Sequence, residues 1–232
     1  MLLYINMQHI YKMKDKIFLY KNSVENFILD YLNTHKNVQY SNINLSDNDY
    51  IIPIITLTII SNLNKKNKRN NHGYYIAFLI KLLTHTIKNN ISLIIKLMDE
   101  HLLLISSQIS NEKLINIGCF AHDILFTKFE NLEDVNNVIT NQCIVAILFG
   151  WIFGCGTLNK DIIEELELAG KHLGVLFNLS NKFNKDDYDN QFDLFVKIKQ
   201  KFIEIMVKND IFSDTMGNIV NMLEEKIDKL ME

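Results

Sequence analysis

Proline occurs once in these 232 residues, at Pro53, and glycine only eight times. Turn-rich all-β folds need many such punctuators, so their scarcity favours long helices. Charge of one sign is also missing: the formal net charge is -3, which gives no overall attraction for nucleic acid. The longest strongly apolar run, Cys143 to Gly154, falls short of the ~20 residues that cross a bilayer. The opening segment carries Asp15 and no arginine, and reads as neither a signal peptide nor a transit peptide. Cys119, Cys143 and Cys155 are odd in number and lack metal-ligand spacing. Each lies in an apolar stretch, where a thiol is expected to act as a small core side chain in a reducing compartment. These features predict a cytoplasmic chain with no membrane span and no nucleic-acid partner.

What is present is grease in helical order. Hydrophobic residues make up 48% of the chain and charged residues 22%, enough for a real core in one domain over residues 1–232. Met216, Ile219, Val220, Leu223, Ile227 and Leu230 recur at three- and four-residue steps, with Glu224, Glu225, Lys226 and Lys229 on the other face. A second stripe runs from Phe192 to Met206. Asn209-Asp210 ends it, and Ser213 or Asp214 is expected to cap the next helix. Ile76 to Leu83, Ile91 to Ile105 and Gln142 to Gly154 are apolar nearly all round, which predicts helices inside a bundle. Gly170 and Gly174, one turn apart, predict a close helix–helix approach. Ile51 to Ile60 is ambiguous: its β-branched residues suit a strand, while Pro53 suits the first turn of a helix. Polar breaks fall at 41–49, 62–72, 128–134 and 180–191, none of them long enough for an interdomain linker. The fold class expected is all-α.

The stretch from Gln142 to Lys185 resembles the second half of polyprenyl synthetases, the trans-isoprenyl diphosphate synthases. Gly174, Val175, Leu176, Phe177 and Asn178 match a Gly-Leu-x-Phe-Gln signature that in that family runs into Asp-Asp-x-x-Asp. Upstream, Cys119 to Asp123 stands where the family has Gly-Gln-Ala-x-Asp, and Asn62 to Gly73 stands at the first aspartate-rich motif. The resemblance covers about two thirds of the chain and implies a somewhat trimmed bundle of the isoprenoid synthase type. It places substrate contacts at Arg69, Gln142, Phe177 and Asn178.

Chemistry of that family neutralises a leaving diphosphate with magnesium held between carboxylates on two facing helices, because magnesium requires hard oxygen ligands. Here neither catalytic motif is intact. Asn181, Lys182 and Lys185 occupy the second motif, and Asn62, Asn64, Lys65 and Lys66 occupy the first; ammonium groups there repel a divalent ion. Arg69 is the sole arginine, where the family uses several to fork around phosphate oxygens. No metal and no cofactor are therefore expected. The resemblance implies a non-catalytic homologue that forms a homo- or heterodimer with an active isoprenyl diphosphate synthase. Two alternatives stay open. One is an active enzyme that binds Mg2+ through displaced ligands Asp186, Asp187 and Asp189; the other is a protein holding an isoprenoid or other apolar ligand, or a structural role, on the inherited fold. Moving acids five residues along a helix rotates them by about 140°, so a solvated loop or helix cap is the simpler expectation for that acidic trio. Asp99, Glu100 and His101 form one further cluster and His122 with Asp123 another, neither with an evident nucleophile.

Overall fold

The structure is a computed structural model and describes residues 19, 21–27, 29–30, 50–64, 71–85, 91–106, 110–129, 135–154, 157–183 and 187–231. Every extended element among them is helical, in agreement with the all-α expectation: α1 (Ile51–Leu63), α2 (Asn71–His85), α3 (Ile91–Ile105), α4 (Asn111–Phe129), α5 (Val135–Phe153), α6 (Lys160–Asn181), α7 (Tyr188–Lys208) and α8 (Asp214–Met231). Residues 21–27 are also helical. Arg69, Lys65, Lys66, Lys185, Asp186 and Cys155 lie outside the described residues.

The ambiguous β-branched run is helix α1. Pro53 is its third residue, where the missing N–H has no intrahelical acceptor to lose, and Ile52 to Ile60 are all buried. Its burial on every side, rather than propensity, decides the conformation.

Helix α5 is the axis of the bundle, with α1, α2, α4 and α6 packed around it. Gln142 to Gly154 are buried without interruption, as expected for a helix apolar all round. Two small-residue seams fix its neighbours. A Cβ on Gly170 would sit 2.5 Å from Ile144 Cα, and one on Gly174 2.5 Å from Thr140 Cα, so α6 runs antiparallel to α5 with its backbone in direct contact. On the α1 side, Gly150 faces Ile59 and Gly154 faces Leu63, so α1 and α5 are parallel. Between these helices the Thr56 hydroxyl donates to the Ala146 carbonyl at 3.0 Å. That bond gives a buried polar group a partner it would otherwise lack.

Helix α3 departs from expectation. Lys96, Asp99, Glu100 and Leu103 are exposed while Ile94, Leu97, Met98, His101 and Leu102 are buried, so it is an amphipathic surface helix and not an interior one. Three charged side chains on one face would have nowhere to go inside a bundle.

The α7–α8 corner is a Schellman closure. Asn209 is the C-cap, and Asp210 takes the left-handed conformation at φ 55°. The Ile211 N–H reaches the Met206 carbonyl and the Asp210 N–H the Val207 carbonyl, both at 3.0 Å. Ile211 and Met206 are both fully buried, the apolar contact that accompanies this motif. Ser213 then caps α8 as expected, its Oγ accepting from the Met216 N–H at 3.3 Å.

Candidate functional site

The two motif positions singled out in the sequence are not neighbours. Asn62, in the last turn of α1, donates its amide to the Ile211 carbonyl at 3.2 Å, just before α8 begins. Asn181, the last residue of α6, accepts from the Lys226 ammonium at 2.5 Å, near the other end of α8. Twelve helical residues separate Asp214 from Lys226, about 18 Å at ~1.5 Å per residue. Parallel α1 and α5 and antiparallel α5 and α6 likewise put the two asparagines at opposite ends of the bundle. Each asparagine fastens one end of α8 to the bundle.

The other sequence candidates fall in scattered places. Asn64 is the C-cap of α1, its N–H bonded to the Ile60 carbonyl at 3.0 Å. Lys182 caps the end of α6 and is exposed. Gln142 is buried and donates to the Leu83 carbonyl at 3.5 Å. Phe177 is buried in the core, and Asn178 accepts from the Lys182 N–H through its backbone. Asp187 is the N-cap of α7 and accepts from the Asn190 amide at 2.7 Å; Asp189 is exposed in the first turn. Acids in that place complement the helix dipole. Among the described residues no three His, Cys, Asp or Glu side chains converge as metal ligands.

The two His/acid clusters are rearranged into one surface pair and one buried ring. His122 on α4 and Asp99 on α3 meet at 2.8 Å on the solvent side, with side chains 35% and 51% exposed. His101 turns the other way. It stacks on Tyr75 with ring centroids 4.4 Å apart, and its Nε2 has no hydrogen-bond partner among the described residues. Burial, with the nearby His72 adding to it, lowers its pKa to about 3, so the ring is neutral at ordinary pH. Cys143 is a core thiol, its pKa pushed up by burial. Cys119 corrects the core expectation: it is exposed, because Ile117, Ala121, Ile124 and Leu125 form the buried face of α4 and Cys119 lies off it.

A cleft of about 450 Å³ lies where α1 ends and α8 begins. Among the described residues it is lined by Thr58 and Asn62 of α1, Tyr74 of α2, Ser213, Asp214 and Thr215, and by Leu19 and Ser23. Thr58 donates its hydroxyl to the Ile54 carbonyl at 2.7 Å and Ser23 donates to the Leu19 carbonyl at 2.8 Å. Thr215 is only 5% exposed. Of these residues sequence reasoning had reached Asn62, as a motif position, and Ser213 and Asp214, as caps. The others carry no local signal, since only the folded chain brings 23, 58, 74 and 215 together.

Comparison with family models, with curated proteins and with solved structures returns no match for this chain.

Proposed function

We propose that this protein is a non-catalytic helical subunit that acts by associating with another protein, the partner suggested by the Gly174–Asn178 signature being an isoprenyl diphosphate synthase. The observation that carries this reading is the use made of Asn62 and Asn181. Asn62 holds Ile211 just before α8 and Asn181 holds Lys226 near the other end of that helix, whereas a shared metal cluster needs facing ligands within a few ångströms. An outer face of the bundle supports association. Ile115, Cys119, His122 and Phe126 recur along one side of α4, with Ile115 61% and Phe126 45% exposed, and Leu103 on α3 is 71% exposed. Large apolar side chains repeated on one helix side are the kind of surface that a partner can cover.

The test is co-expression with an intact polyprenyl synthetase from the same source. Co-purification as a stable complex, with isopentenyl diphosphate incorporation raised over the synthase alone, is the expected result. Charging the α4 stripe with Ile115→Glu and Phe126→Glu should abolish the complex. Magnesium-dependent incorporation by this chain alone, lost on Asp187→Ala, would replace the proposal with the enzymatic alternative.

A further inference from the structure

We propose that His72 and His101 form a two-histidine site for one copper(I) ion, between the first turn of α2 and the buried side of α3. The state of His101 carries the inference. The residue is 3% exposed, and its Nε2 has no hydrogen-bond partner among the described residues. A buried polar atom left in that condition calls for a water or an ion to satisfy it. Stacking on Tyr75, with the planes 8° from parallel, uses the face of the imidazole. The nitrogen lone pair lies in the ring plane at its edge, so the stack does not consume it. The Tyr75 hydroxyl donates to the Leu97 carbonyl at 3.0 Å, one turn before His101, and so holds the ring on which the imidazole rests. Burial keeps His101 neutral, the form in which an imidazole ligates a metal.

The second observation is the distance to His72, whose ring centre lies 5.2 Å from that of His101. Two imidazoles bound to one ion at about 2 Å have ring centres about 5–6 Å apart, and the spacing matches. A ligating imidazole commonly has its other nitrogen held by a neighbour, so a hydrogen bond at one His72 nitrogen leaves the other for the metal. His72 is half-buried, which gives an ion a way in from solvent. Charge and ligand number select the ion. The Born cost of burying a charge grows as its square, about fourfold from a monovalent to a divalent ion. Zinc in closed sites takes four ligands, whereas the described residues bring together two neutral imidazoles. Copper(I) carries one charge, accepts imidazole nitrogen and is satisfied by two such ligands. The Tyr75 and Phe153 rings, 4.4 and 6.3 Å from the His101 ring, supply the apolar surroundings that favour it.

Anaerobic titration of the full chain with copper(I), in competition with the chromogenic chelator bicinchoninate, tests the assignment. Cys119→Ser and Cys155→Ser are present throughout, so that those thiols do not compete, and X-ray absorption identifies the ligand atoms. One equivalent held against the chelator, with nitrogen neighbours at about 2 Å, is the expected result. His101→Phe preserves a flat ring against Tyr75 and should weaken binding at least about tenfold. His72→Gln should do the same, while His122→Gln on the surface of α4 leaves the affinity unchanged. His72 is half-buried, so its substitution still reads out the site where His101→Phe disturbs the core. No ion held against bicinchoninate, a shell of sulfur alone, or full retention of copper(I) by His101→Phe or His72→Gln would each overturn the proposal.

Discussion

Replacing Gly174 by alanine sets two known effects against each other. Alanine is favoured over glycine inside a helix by about 1 kcal/mol. The added Cβ, however, would stand 2.5 Å from Thr140 Cα, 2.6 Å from its Oγ1 and 2.8 Å from its Cβ. Carbon pairs rest at about 3.5–4.0 Å, so α5 and α6 must part by about 1 Å, and a gap of that size forfeits a quarter to a half of each contact across the seam. Backbone cannot rotate out of the way as a side chain can, which places the cost near the upper end of overpacking, about 3 kcal/mol. The net expectation for Gly174→Ala is a loss of about 2 kcal/mol, seen as a Tm lowered by about 4–8 °C in a chain of this size. Gly118→Ala is the control. Its Cβ would meet only Leu102 Cδ1, at 3.3 Å, the free end of a flexible side chain. There the propensity gain should prevail and raise Tm by about 2–3 °C. Circular dichroism melts with urea titrations give both values. The reasoning fails if Gly174→Ala is as stable as the parent, or if both substitutions move Tm in the same direction.

Three further outcomes follow from local geometry. Asp210→Gly relieves a left-handed residue without touching the Schellman hydrogen bonds, and should stabilise by about 0.5–1 kcal/mol in urea titration; a loss would show that the Asp210 side chain matters. His101 is neutral when folded, its pKa lowered from 6.5 to about 3, so the unfolded chain takes up a proton first as pH falls. Stability is therefore complete above pH 6.5 and declines below it by up to about 1.4 kcal/mol per pH unit, a slope that His101→Phe should remove between pH 6.5 and 5. Glu167 acts in a more acidic window. Burial raises its pKa, but hydrogen bonds from Lys128 and Lys171 at 2.8 and 3.0 Å prevail and leave it lowered. Its contribution is present above the unfolded carboxyl pKa and disappears as pH falls through the lower folded value, so Glu167→Gln should flatten the urea midpoint below about pH 4.5 relative to the parent.

Local sequence signals served well where the physics is local. The Ser213 cap, the break at Asn209-Asp210 and the close seam at Gly170 and Gly174 were each legible from residue type and spacing. Periodicity also located α8 and the buried axis from Gln142 onward, although α5 starts seven residues earlier, at Val135, in a polar turn with no apolar stripe. Helix α1 was undecidable because a helix buried all round and a buried strand share one pattern. Neighbours distant in the chain left no trace. Asp99 and His101 are two residues apart, hence about 200° apart around α3, and so one meets His122 in solvent while the other stacks on Tyr75 inside. The cleft is the extreme case, assembled from four separate stretches of ordinary hydroxyl residues.

The parallel pairing of α1 with α5 bears on how the chain is made. Thr56 and its acceptor Ala146 are 90 residues apart, and at roughly 5–20 residues per second the ribosome needs about 5–18 s to supply the second after the first. During that interval α1, sticky on every side, lacks the α5 surface that its buried face packs against in the finished fold. A nascent chain halted before residue 135 is thus a strong client for holdase chaperones, and faster elongation through α2 to α4 shortens the period of risk.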